Sequence, residues 1–113
     1  MPPFRLGTVS HAKGYVLNKL FERHRIGESH LPMRFLEEGY PVKWRPLIKE
    51  AIQSLRSEGL ILTLKKRTGR DSSLHACIVT KRLTDCRPLI NAYRQSVDLG
   101  PVGKDMRTIL PVE

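Results

Sequence analysis

Cysteine and aromatic side chains are scarce in this sequence of 113 residues. It contains two cysteines, Cys77 and Cys86, and aromatic residues make up 6% of the chain. Two cysteines are too few to staple a small secreted fold, and their spacing is not that of a C-x-x-C pair. We therefore expect both to be reduced packing residues of a protein in a reducing compartment.

Long apolar runs are also missing. The longest stretches without charge, such as Ser72 to Thr80, fall far short of the roughly 18 to 20 apolar residues that span a membrane. Residues 1–4 have neither the basic nor the apolar region of a secretory signal. We expect no membrane partner and a cytoplasmic, nucleoid-associated location.

Catalytic motifs are absent as well. There is no H-E-x-x-H, glycine-rich phosphate loop, G-x-S-x-G or pair of carboxylates on one helical face. His75, Cys77 and Cys86 come nearest to a metal site, but a third or fourth ligand with suitable spacing is missing. A chain of this length buries roughly 60 to 70% of its unfolded surface, which leaves no room for a deep substrate cavity. We expect a protein without catalytic activity, metal or cofactor, whose function lies on its surface.

Positive charge is abundant and unevenly distributed. The chain carries 20 lysines and arginines against 11 acidic residues, a net charge of +9. Residues 43–70 hold eight basic and two acidic side chains, residues 1–42 six and four, and residues 71–113 six and five. Such a concentration favours a polyanionic partner, most often nucleic acid and next an acidic membrane surface. Charge alone does not choose between them.

Two helices are predicted in the first part of the domain, after an irregular arm over residues 1–9. The first runs from about His11 to Arg25, with Ser10 as its N-cap, because apolar residues recur there on one helical side. The second is short, with Ser29 as N-cap and Pro32 in its first turn, and it closes at Glu38-Gly39. Its inward residues are predicted to be Leu31, Phe35 and Leu36.

The third helix has the strongest pattern in the sequence. Its apolar stripe predicts a helix that starts between Lys43 and Pro46 and ends at Gly59. The opposite side carries basic and hydrogen-bonding side chains that point away from the core. The stripe consists of Leu47, Ile48, Ala51, Ile52 and Leu55, and the opposite ridge of Arg45, Lys49, Gln53 and Arg56.

A β-hairpin is predicted next. Leu60 to Leu64 and Leu74 to Val79 are rich in branched apolar residues with alternating faces, as expected of two strands. The polar segment between them, residues 65–73, contains a turn glycine and is predicted to be a loop. Its four basic side chains, which would form a charged tip, are Lys65, Lys66, Arg67 and Arg70.

This order of helix, helix, basic helix and basic hairpin resembles the winged helix-turn-helix family of prokaryotic and archaeal regulators. The resemblance covers about Val16 to Val79 and includes the turn Leu55-x-x-Glu58-Gly59-Leu60-Ile61. It implies an α+β, mostly α fold with a three-helix core and a hairpin wing over residues 10–82. It also implies that the third helix enters the major groove of double-stranded DNA and that the wing lies along the backbone or in the minor groove. The DNA-binding residues that match are Lys43, Arg45, Lys49, Gln53, Arg56, Lys65, Lys66, Arg67 and Arg70.

Two features of the third helix depart from the family pattern. Trp44 and Pro46 stand where small polar residues are common, and Trp44 is interpreted as a packing residue that closes the core. Glu50 would repel phosphate if it pointed into the groove.

Residues 83–98 are predicted to form a C-terminal helical segment, whose helix, the fourth, starts near Cys86 to Pro88. Its apolar stripe either folds back on the core or pairs with a second copy, and of the two we favour the homodimer. Residues 99–113 are predicted to be an extended tail. The stripe is formed by Leu89, Ile90, Tyr93 and Val97.

Taken together, the sequence predicts a small transcription regulator or chromatin-associated factor that binds duplex DNA. Two alternatives remain open at this point. The basic face could dock on an acidic protein within a replication, repair or transcription complex, or it could bind structured RNA.

Overall fold

The computed structural model describes residues 5–27, 29–68, 71–104 and 106, and for residues 66–73 it describes no side chains. Across this part of the chain, four α-helices pack with an antiparallel sheet whose strand order is β1-β3-β2. The prediction of a mostly helical α+β protein is confirmed. The helices are α1 (Val9–Glu22), α2 (Met33–Glu38), α3 (Pro46–Ser57) and α4 (Leu83–Ser96), and the strands are β1 (Leu31–Pro32), β2 (Ile61–Thr68) and β3 (Asp71–Ile78).

Helix α1 begins and ends earlier than its sequence pattern indicates. Thr8, rather than Ser10, is the N-cap: its backbone is extended and its Oγ1 accepts a hydrogen bond from the His11 amide at 3.2 Å. The helix stops at Glu22 because His24, which is exposed, adopts a left-handed conformation with φ of 55°. Arg25 N then donates to the carbonyl of Leu20 at 2.8 Å and closes the last turn.

Helix α2 is shorter than predicted because the residues before it join the sheet. Leu31 and Pro32 form β1, where they pair with Ala76 and His75 of β3. The prediction of an N-cap at Ser29 and of Pro32 in the first turn is therefore wrong. Leu36 is fully buried as expected, but Phe35 is 45% exposed, so its predicted inward position is also wrong.

Helix α3 matches its prediction most closely. It starts at Pro46, where the missing amide costs nothing, after a 3-10 helix over Val42–Trp44. It ends in a Schellman motif, in which Leu60 N donates to the carbonyl of Leu55 and Gly59 N to that of Arg56, both at 3.0 Å. Gly59 has a φ of 77°, a left-handed backbone conformation in which any residue with a side chain would be strained. The buried residues are Ile48, Ala51, Ile52 and Leu55, with Leu47 partly buried.

The hairpin strands are longer than predicted. Pairing of β2 with β3 runs from Ile61 opposite Ile78 to Thr68 opposite Asp71. Most of the segment 65–73, predicted as a loop, is therefore strand. Main-chain hydrogen bonds continue the ladder there although the side chains are polar, because strand preference depends on context more than on residue type.

Helix α4 starts earlier than predicted, and its stripe agrees with the prediction except at Val97: Ile90 is buried, and Leu89 and Tyr93 are partly buried against the core. It begins at Leu83, directly after a 3-10 helix over Thr80–Arg82. Val97 lies beyond its end and is 39% exposed, so its place in the predicted stripe is wrong. The buried side chains are Cys86, Ile90 and Arg94, which contribute to the side that packs on α1. Helix α4 thus packs its apolar stripe against the core of its own chain, and homodimerisation through α4 stays a prediction.

Arg94 joins α1, α4 and the segment that follows α4. Its side chain is 3% exposed, and Nη1 donates to Asn18 Oδ1 at 3.0 Å and lies 3.5 Å from Glu22 Oε2. Its Nε donates to the carbonyl of Gly100. A buried guanidinium needs partners of this kind because an unpaired charge is costly away from water.

The segment after α4 packs on the protein, contrary to the predicted extended tail. Val102 is fully buried, and its amide donates to Asn91 Oδ1 at 2.7 Å. Its carbonyl accepts from Asn91 Nδ2 at 3.1 Å and from Arg87 Nε at 3.0 Å. These contacts could not be read from the glycines and prolines of the segment. Residues 107–113 lie outside the described residues.

The two cysteines lie in the interior, as predicted for packing residues. Cys86 belongs to the core, and burial raises its pKa to about 12. Cys77 is also buried, which raises its pKa, and its Sγ donates to the carbonyl of Gly27 at 3.1 Å. Neither thiol is poised to ionise at neutral pH.

Replacing Arg94 with alanine should lower the free energy of unfolding by about 2 to 4 kcal/mol, because buried acceptors on Asn18 and Gly100 lose their donor. Urea unfolding followed by circular dichroism measures this. The control Arg82→Ala removes an arginine paired with Asp85 at the surface, where both side chains are about half exposed. Its effect should stay below about 0.5 kcal/mol. Equal losses in both variants would contradict the structural role of Arg94.

The stability of the protein should also depend on His11, which is 7% exposed and lies 2.6 Å from the Tyr40 hydroxyl through Nδ1. Burial lowers the pKa of His11 from 6.5. The neutral ring therefore contributes fully above pH 6.5, and this contribution is lost as the pH falls below that value. As the pH is lowered through 6.5, the free energy of unfolding should fall less steeply in His11→Gln than in the unaltered protein. An NMR titration midpoint of His11 at or above 6.5 would overturn this expectation.

Candidate nucleic-acid interface

The outer side of α3 is the candidate interface. Burial of Ile48, Ala51, Ile52 and Leu55 in the core fixes the rotation of the helix. The side chains on the opposite side are consequently held in solvent. Three of the predicted DNA-binding residues, Lys49, Gln53 and Arg56, are exposed there.

These polar residues occupy one flank of the exposed side. At about 100° per residue, the positions of Arg45, Lys49, Gln53 and Arg56 fall within an arc of about 80°. Glu50 lies about 60° beyond Gln53, on the other flank. The basic strip, as we call these four residues, therefore contains no carboxylate of α3 itself.

The carboxylate at the end of α3 is turned toward α1. Glu58 forms an ion pair with Lys13 and accepts a hydrogen bond from Ser54 Oγ at 2.9 Å. The hydrogen bond from Lys13 is the largest cause that lowers the pKa of Glu58. Burial opposes it as the next largest, and the hydrogen bond from Ser54 and the charge of Lys13 add to the lowering. Its negative charge is thus balanced by a lysine outside the basic strip.

Arg45 has a role in the fold that the sequence did not indicate. It is half-buried, and its Nε donates to the carbonyl of Tyr40 at 3.1 Å while Nη2 donates to that of Glu38 at 3.3 Å. These carbonyls lie at the end of α2 and in the turn that follows. Arg45 therefore fixes the approach of the chain to α3, and its contact with a base stays a prediction.

Lys43 and Trp44 stand just before α3. Lys43 is exposed, and its Nζ lies 4.9 Å from the centroid of the Trp44 ring, within range of a cation–π contact. Trp44 packs against the core, as its interpretation as a packing residue predicts. Its ring lies against Gly7, where a Cβ atom would come within 3.0 Å of it.

The hairpin brings further positive charge after α3. Lys65 is exposed on β2, opposite Leu74 in the ladder. The backbones of Lys66 and Arg67 continue β2 opposite Ser73 and Ser72, and their side chains lie outside the described residues, as does Arg70 entirely. The roles predicted for these three residues stay predictions.

Two exposed leucines of β2 were not singled out from the sequence. Leu62 and Leu64 are 52% and 40% exposed, whereas Ile61, on the opposite face of β2, is 1% exposed. The alternation of faces along the strand was the available signal. It could not tell which face the core would cover.

Metal and membrane features are missing from the part of the chain that the structure describes. Within residues 5–27, 29–68, 71–104 and 106, no group of three or more histidine, cysteine or acidic side chains could hold a metal ion. None of the helices in those ranges has the length and apolar character to cross a membrane.

Comparison with solved structures finds a similar fold. It is the crystal structure of the circadian clock associated protein Pex from Anabaena, with a TM-score of 0.63, 11% sequence identity and 80% of each chain covered. No protein-family model and no curated protein matches the sequence. At 11% identity, the likeness concerns the arrangement of helices and strands alone.

The capping role of Arg45 can be separated from a role in binding. Arg45→Ala should lower the free energy of unfolding by about 1 to 2 kcal/mol, because the carbonyls of Glu38 and Tyr40 lose a charged donor. Lys49→Ala, one turn further on the same flank, should change it by less than about 0.5 kcal/mol. Guanidinium unfolding curves provide the comparison, and equal stability of the two variants would refute the capping role.

Proposed function

We propose that this chain is a winged-helix protein that binds double-stranded DNA, as a small non-enzymatic transcription regulator or chromatin-associated factor. The order of elements supports this proposal: α1, α2 and α3 precede the antiparallel hairpin of β2 and β3, and the Schellman turn at Gly59 joins the third helix to it. Short β1 pairs with β3 and ties the segment before α2 to the hairpin.

The observation that carries the proposal is the exposed flank of α3. Lys49, Gln53 and Arg56 are held in solvent by a helix whose other side is anchored in the core. A rigid helix that presents cationic and amide side chains suits the major groove, which is wide enough to admit it. The same polar groups on a mobile loop would lose more conformational entropy on binding.

Two kinds of contact are expected in the complex. Lysines and arginines of the strip and the hairpin neutralise phosphates, which supplies affinity without sequence preference. Gln53 can form a bidentate pair with adenine, and Lys49 or Arg56 can donate to guanine. Whatever base preference the protein has would arise from these three side chains.

A second candidate function is docking on an acidic protein. The exposed Leu62 and Leu64 favour it, because two large apolar side chains on the same exposed face of a strand are a feature of protein interaction sites. In that case Leu62→Ser/Leu64→Ser would abolish the contact with the protein partner. The same double substitution should leave DNA binding nearly unchanged if the first proposal is correct.

Binding to a fluorescent duplex, measured by anisotropy at a series of salt concentrations, tests the first proposal. If four to six phosphates are neutralised, log affinity should fall with log salt at a slope of about −4 to −5. A slope near zero would contradict the proposal. Competition with single strands and with folded RNA in the same assay distinguishes duplex DNA from the RNA alternative.

Charge reversal locates the interface. Lys49→Glu/Lys65→Glu should reduce duplex affinity by at least about 100-fold at low salt, since two phosphate contacts become repulsive. The control Lys81→Glu/Lys104→Glu makes the same change in net charge at exposed positions outside the proposed interface. Equal losses in both variants would mean that total charge, rather than the basic strip, determines binding.

A further inference from the structure

A cleft lies between the start of α1, the turn after α2 and the end of α4, and it adjoins the basic strip at Tyr40, whose carbonyl accepts a hydrogen bond from Arg45. Its volume is about 350 Å³, and aromatic rings form much of its wall. The ring side chains come from α1, from the turn after α2 and from α4, which are distant from one another in the sequence. The residues that matter for its chemistry are Leu6, His11, Tyr15, Tyr40, Tyr93 and Val97.

The rings are packed so that they support one another. The centroids of Tyr15 and Tyr40 are 4.7 Å apart, and those of His11 and Tyr93 are 5.2 Å apart in an edge-to-face arrangement. Tyr15 and Tyr93 also meet edge to face, at 5.9 Å. Distances and tilts of this kind are favourable for aromatic pairs. The wall is therefore preformed, and a ligand would lose little affinity to reorganisation.

The polar atoms of the cleft are partly used and partly available. Tyr15 donates to the carbonyl of Leu36 at 2.8 Å, and the Tyr40 hydroxyl pairs with Nδ1 of His11 at 2.6 Å. Nε2 of His11 and the hydroxyl of Tyr93 form no hydrogen bond with other described residues. These two groups can accept from or donate to a ligand, with the role of Nε2 set by the tautomer.

The cleft carries no formal charge at neutral pH. None of the described side chains that line it is a lysine, arginine, aspartate or glutamate. Burial is the main cause that raises the pKa of Tyr15 and Tyr40 to about 12, and burial keeps His11 neutral. An anionic ligand would meet no cation among the lining side chains; the Lys19 ammonium, 5.9 Å from the centroid of the Tyr15 ring, belongs to a residue outside the lining. A cationic ligand would enter against a protein of net charge +9.

From this lining and its shape, we propose that the cleft binds a neutral, planar aromatic molecule of one or two rings that carries an N–H or O–H group. The volume lies at the lower end of the range for small-molecule sites, which suits a ligand of that size. The ring would lie on the outer side of the packed tyrosines, against Tyr93, Leu6 and Val97, because Tyr15 and Tyr40 themselves are only 4% and 3% exposed. Its polar group would bond to His11 or Tyr93. This binding does not depend on the proposed DNA-binding function.

Indole is the probe for this proposal because it is neutral and planar and has one N–H donor. NMR titration of the full chain, with its aromatic groups labelled with ¹³C, should give saturable shifts of the His11, Tyr15, Tyr40 and Tyr93 rings. Intermolecular NOEs should connect indole protons with the Tyr93 ring and the Val97 methyl groups. Indole-3-acetate and tryptamine have the same ring with a negative or positive charge, and each should bind at least about tenfold more weakly.

Two tryptophan substitutions form a matched pair. Val97 lines the cleft and Leu99 does not, yet they are 39% and 40% exposed. Val97→Trp should fill the cleft and weaken indole binding by at least about tenfold, whereas Leu99→Trp should leave it within about twofold. Unfolding curves check that both variants fold.

The proposal fails if the shifts do not saturate, if NOEs to Tyr93 and Val97 are missing, or if the three probes bind equally. It also fails if Leu99→Trp weakens binding as much as Val97→Trp. The NOE measurement uses the unaltered protein, so it remains decisive if Val97→Trp does not fold.

Discussion

The buried guanidinium of Arg94 ties together α1, α4 and the segment that follows α4. It satisfies acceptors on α1 and after α4 at once, so these segments cannot shift independently without exposing an unpaired group. A second link, from Lys13 to Glu58, connects α1 to the end of α3. The first link is buried and strong, whereas the second is partly exposed and weak. They add to the apolar core through which α1 packs on both α3 and α4.

This framework explains why a short helix can present a defined basic strip. The apolar stripe of α3 fixes its rotation, the Schellman turn fixes its end, and Arg45 fixes the turn before it. Charges held this way act together on a polyanion, because residues three or four apart on a helix have Cβ atoms roughly 5 to 6 Å apart, within the screening length of about 8 Å at physiological salt. Pairing of Glu58 with Lys13 reduces the local repulsion of phosphate that a free carboxylate would cause.

Features that depend on local periodicity could be predicted from the sequence, and those that depend on distant contacts could not. The stripe of α3 and its glycine stop are local and were predicted correctly. Pairing of Leu31 with β3, which shortens α2, requires a strand more than forty positions away in sequence. Burial of Val102 depends on Asn91 and Arg87 of the preceding helix. Of the candidate site, the sequence supplied the residue types on α3, but the capping of α2 by Arg45 and the aromatic cleft emerge only when the chain is folded.

Trp44 is the only tryptophan of the chain, and its place between Lys43 and Gly7 makes it a built-in spectroscopic label. An indole ring that is partly buried and touched by a cation emits at a wavelength and intensity set by those neighbours. Any event that moves the arm before α1, or that draws Lys43 away toward an anion, would change this emission. The native protein thus reports on movements at the entrance to α3 without a dye or an added reporter group.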